Sequence, residues 1–143
     1  LVAILTLDTD MFEASHLKPP RTWRLSYPTS LLAYWTRDRE KGSRLSLPWA
    51  VRALSHANAQ AIGFGDRGLV RPGMKADLNV IDYERLCLRA ARVQWDLPAG
   101  GRRLVQEAEG YDATIVSGAI TYLYGEATGA RPGRLVRRQS VLA

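Results

Sequence analysis

The apolar pattern changes period once, near residue 64, and that change limits the folds open to this chain. Before it, apolar residues recur at helical spacing. Thr29 or Ser30 caps an expected helix through Leu31, Leu32, Tyr34 and Trp35 to Arg39, which Gly42 stops. A second helix starts at Ser46 with Pro48 in its first turn and Leu47, Val51 and Leu54 as one stripe. Asn58 caps a short third helix through Ala61-Ile62, closed by Gly63 in the left-handed conformation favoured at helix ends.

After Phe64 the signals are those of strands and tight turns. Gly65-Asp66-Arg67-Gly68 and Pro72-Gly73 are turns, the second matching the central pair of a type II turn. Residues 76–83 read as a strand, and 102–108 as a weaker one. Residues 112–116 and 119–124 flank Ser117-Gly118 at the spacing of a two-residue hairpin. A short Leu135-Val136 strand follows Pro132-Gly133. No internal repeat and no flexible linker separates the two halves.

At 143 residues the chain has room for one ordinary core and not for two. Its 46% apolar content argues against disorder. The longest apolar run, Leu1 to Leu7, is far short of the ~20 residues of a membrane-spanning helix. With no basic region before it, the run does not read as a signal peptide. It reads instead as a parallel strand buried on both faces, ending in Asp8-Thr9-Asp10, where α/β folds keep their chemistry. Starting on Leu and entering a strand at once, the chain reads as beginning inside a larger unit. Residues 11–28, with Pro19-Pro20 and Tyr27-Pro28, read as a loop.

Twenty Lys and Arg against fourteen Asp and Glu give +6, with Arg supplying 17 of the 20. Only Arg102-Arg103 and Arg137-Arg138 are adjacent, so the charge reads as surface solvation and not as a nucleic-acid tract. One cysteine, Cys87, excludes an internal disulfide and suits a cytoplasmic location. One Cys and two His exclude a zinc-finger ligand set.

Residues 55–63, then Asp66-Arg67-Gly68, then Arg71-Pro72-Gly73-Met74-Lys75-Ala76-Asp77-Leu78-Asn79-Val80-Ile81-Asp82, resemble the C-terminal signature of the amidohydrolase superfamily. Similarity is strongest to the N-acyl-D-amino-acid deacylase (D-aminoacylase) branch. Pro98-Ala99-Gly100-Gly101, Val116-Ser117-Gly118 and the segment Thr128 to Arg134 resemble that branch's tail. The resemblance implies an α+β fragment with two parts. Residues 1–64 would be the last strand and helices of a TIM-like barrel, and 65–143 part of a C-terminal β-sandwich domain.

It also implies metal-dependent, zinc-type hydrolysis of N-acyl amides, with a carboxylate at the end of the eighth barrel strand as metal ligand and proton carrier. Thr9-Asp10-Met11 stands the right distance before Pro20-Arg21-Thr22-Trp23, so Asp10 is the candidate for both roles. Asp8 is second. Met11 stands where the branch has a small residue, and an Asp at a strand end also serves to cap the next turn. A whole barrel takes about 250 residues. Residues 1–143 alone are therefore expected to be inactive, their Leu1–Leu7 strand lying against the rest of the barrel or another chain.

Four further side chains invite a role, and each has an ordinary one. His16 lies where related enzymes keep a histidine and also reads as a solvated loop residue. His56 reads as a helix-end histidine on a carbonyl, and Cys87 as packing. Asp77 reads as a carboxylate accepting turn N–H groups, and Thr128–Arg134 as a rigid loop or a lid. Trp23, Trp35, Trp49 and Trp95 read as core or interface. The function read from all this is N-acyl-D-amino-acid deacylation of a small substrate, without nucleic acid or membrane. A second reading is a diverged, non-catalytic protein-binding module.

Overall fold

A computed structural model describes residues 2–4 and 26–136. Helix α1 (Tyr27–Ser30) runs without a break into a π-helical stretch, Leu31–Asp38. Helix α2 (Leu47–Arg52), a second π-helical stretch (Ala53–Ala57) and α3 (Asn58–Ala61) likewise form one continuous rod. The wide turns have a local cause. The Thr36 hydroxyl donates to the Leu32 carbonyl, and Ser55 Oγ donates to the Val51 carbonyl at 2.6 Å. Hydroxyls bonded four residues back compete for the carbonyls an α-helix would use. The Arg39 N–H accordingly reaches Tyr34 O, five residues back, at 2.9 Å.

Several helix boundaries move from their expected places. The first helix begins at Tyr27, with Ser26 as its cap residue and Pro28 in its first turn, so Thr29 and Ser30 are interior. It ends at Arg39, which turns extended (φ −65°, ψ 120°) three residues before Gly42. Asn58 is no cap: at φ −66°, ψ −45° it lies inside the rod, its side-chain amide 3.5 Å from Leu54 O. Ser46 and Gly63 hold the places the sequence assigns them. Phe64 N–H bonds Ala59 O at 2.8 Å and Gly63 N–H bonds Gln60 O at 3.0 Å, the paired bonds of a Schellman ending with Gly63 at φ 78°.

The strands are β1 (Val2–Ile4), β2 (Leu78–Ile81), β3 (Cys87–Leu88), β4 (Arg92–Leu97), β5 (Gly101–Val105), β6 (Ala108–Glu109), β7 (Tyr111–Val116), β8 (Ala119–Leu123) and β9 (Glu126–Ala127). They form a five-stranded sheet, β1-β2-β7-β8-β9, and two ribbons, β3-β6 and β4-β5, all antiparallel. The parallel reading of the opening run is corrected here. Val2 faces Ile81 and Ile4 faces Asn79 in an antiparallel pair, with β1 outermost in the sheet among the described residues. Apolar, β-branched residues suit buried parallel and half-covered antiparallel strands alike, so composition did not distinguish them. No closed barrel is present among the described residues.

Turn chemistry matched expectation. Met74 N–H bonds Arg71 O at 3.2 Å around Pro72-Gly73, with Gly73 at φ 85°, and Ser117 and Gly118 at φ 50° and 81° join β7 to β8. Strand β4 was missed, since Arg92 to Leu97 lies among residues without a clean apolar alternation. The expected strand at Leu135-Val136 does not form.

One core spans both halves. Leu31, Leu32, Ala33, Ala50 and Leu54 from the helices pack with Ile81 of β2 and with Leu86. A second seam is polar: Thr29 Oγ1 meets the Tyr111 hydroxyl at 2.7 Å and Thr36 Oγ1 the Tyr83 hydroxyl at 2.6 Å. Leu32 is 1% exposed and Leu135 80%. Leu32→Ala is expected to cost about 2–5 kcal/mol in urea unfolding, and Leu135→Ala less than about 0.5 kcal/mol; equal effects would contradict this placement of the core.

Candidate functional site

Asp10, the candidate metal ligand and catalytic carboxylate, lies outside the described residues, as do Asp8 and His16. Among the described residues no three His, Cys, Asp or Glu side chains stand close enough to hold a metal ion. A zinc-type site therefore does not fit the described part of the chain by itself. His56 sits within the second helical rod, its Nδ1 buried without a hydrogen-bond partner. That atom does not make the helix-end carbonyl contact expected of His56. Cys87 is exposed and not packed as expected, its Sγ 3.7 Å from Glu109 Oε2.

The densest charge constellation lies in the signature segment. Arg67, only 7% exposed, makes a bidentate pair with Asp66 (2.8 and 3.0 Å) and stands 3.6 Å from Asp77. Its guanidinium also lies over the Phe64 ring, 4.8 Å from the centroid. Lys75 Nζ donates to Asp77 Oδ2 at 2.7 Å, while the other Asp77 oxygen accepts the Ser117 N–H at 2.8 Å. Two backbone bonds follow the same line, Lys75 N–H to Asp66 O (2.7 Å) and Gly118 N–H to Ala76 O (2.9 Å).

Local sequence explains the arrangement. Gly68, at φ 94°, passes so close to the helical rod that an added Cβ would stand 2.8 Å from His56 Cα. That approach turns the chain and carries Arg67 inward. Asp77 does what was expected of a turn carboxylate, but across 40 residues and not within one turn. Paired with the guanidinium, Asp66 is held below the usual carboxylate range and Arg67 is pushed further toward its charged form. Every charge in the cluster is matched inside it, so its chemistry is that of a clamp and not of a proton donor or acceptor. Beside it opens a cleft of about 700 Å³ lined by Phe64, Asp66, Arg67, Arg71, Met74 and Val136.

Two positioning residues gave no signal in the sequence. Arg37 Nη2 donates to Leu86 O at 2.7 Å and Nη1 to the carbonyls of Tyr83 and Glu84, so one side chain binds the first helix to the loop after β2. Gln106 accepts from Ser26 Oγ at 2.6 Å and donates to Arg89 O at 2.9 Å, linking the start of α1 to the ribbons. Burial pushes the Tyr111 hydroxyl above its ordinary value, opposed by its bond to Thr29. At the start of the loop after β9, Thr128 Oγ1 donates to Ile120 O at 2.7 Å and accepts the Ala130 N–H at 3.3 Å.

The amidohydrolase family model matches residues 13–122. An N-acyl-D-glutamate deacylase of Alcaligenes xylosoxydans xylosoxydans is 31% identical over 124 residues, covering 87% of this chain and 22% of that protein. A 5-methylthioadenosine/S-adenosylhomocysteine deaminase of Pelotomaculum thermopropionicum is 39% identical over 83 residues, covering 55% of this chain and 18% of that protein. The chain thus spans about a fifth of the length of these curated relatives. No solved structure gives a significant match.

Asp77→Ala leaves Arg67, Lys75 and the Ser117 N–H short of an acceptor and is expected to cost about 1–3 kcal/mol in urea unfolding. Because the folded state lowers the Asp66 pKa, its contribution is fully present above the unfolded value and is lost as pH falls through the folded one. The urea midpoint of Asp66→Asn should therefore fall less than that of the unaltered chain between about pH 5 and pH 2. Parallel curves would show that the pair does not couple to folding.

Proposed function

Because this chain belongs to the amidohydrolase family and is N-acyl-D-amino-acid deacylase-like, we propose that it is the C-terminal portion of a metal-dependent enzyme that hydrolyses N-acyl-D-amino acids. The observation that carries the reading is the 31% identity to a deacylase sustained over 87% of the chain. Water is consumed in the reaction, the acyl C–N bond breaks, and a carboxylate and a D-amino acid leave. Asp10 is assigned as the carboxylate that binds the metal and moves protons, with Asp8 next, and zinc as the metal.

In this reading residues 1–64 close a TIM-like barrel and 65–143 form part of a β-sandwich beside it. The clamp of Asp66, Arg67, Lys75 and Asp77 supports that division of labour, because its charges are consumed in tying the turn after Phe64 to the entry of β2 and the β7-β8 turn. The remaining metal ligands belong to residues outside those described. Reading the activity as N-acyl amide hydrolysis and not deamination rests on the wider coverage of the deacylase match.

The purified 143-residue chain, supplied with zinc and a panel of N-acyl-D-amino acids, is expected to release no free amino acid. Turnover would overturn its assignment as an incomplete part of the enzyme. In the enzyme carrying this chain as its C-terminal portion, Asp10→Asn should lower kcat by about 10²–10⁴-fold, and unchanged kcat would remove Asp10 from the site.

A further inference from the structure

We draw no further inference here: the strongest candidate, the cleft beside the Arg67 clamp lined by Phe64, Arg71, Met74 and Val136, carries nothing because its buried cation is already paired within the clamp and nothing in the structure shows what covers it.

Discussion

A guanidinium taken almost out of water is the constraint around which the β half is organised. An ion removed from solvent costs several kcal/mol unless close partners of opposite charge replace the water. Arg67 is 7% exposed, and the chain supplies Asp66 from its own turn, Asp77 from the entry to β2 and the face of Phe64. Asp77 is therefore engaged on both oxygens, and through Ser117 it holds the tip of the β7-β8 hairpin. The glycines around it follow from the same requirement, since Gly68 passes the helical rod where a Cβ has no room.

The helices are held by different means. Leu31, Leu32 and Leu54 bury against Ile81 and Leu86, which is non-directional attachment. Direction comes from Arg37, whose donors engage three carbonyls of the 83–86 segment while its guanidinium lies over Tyr83. An apolar contact tolerates sliding, whereas a planar fork on several acceptors does not. The wide turns of both rods have the same kind of origin, a hydroxyl taking a carbonyl that the regular ladder would have used.

Legibility differs sharply between the turns and the site. Pro72-Gly73, Ser117-Gly118 and Gly63 took the conformations their types demand, because those demands are met within four residues. Asn58 failed as a cap because nothing ended the helix before it, and Thr29 because its hydroxyl is used by Tyr111, 82 residues away. Strand β4 was invisible because it is stabilised by cross-strand pairs, Arg102 on Trp95 and Arg103 on Asp96, and not by alternation along one face. The family signature was readable in full, yet what its charged residues do was not. Asp77 was expected to accept turn N–H groups and does so in the β7-β8 turn 40 residues away, while also closing a clamp.

From residues 1–143 alone come the family, the helical and β halves divided near residue 64, and the turns. Each is encoded in local chemistry: spacing, a fixed or freed φ, an ordered set of glycines, prolines and aspartates. Only the folded chain decides that β1 runs antiparallel to β2 and that one core spans both halves. It also decides that Arg37, Arg67 and Gln106 act as ties. Those outcomes depend on groups 10 to 80 residues apart meeting out of water, where burial and charge pairing select one arrangement among several that the local signals allow equally.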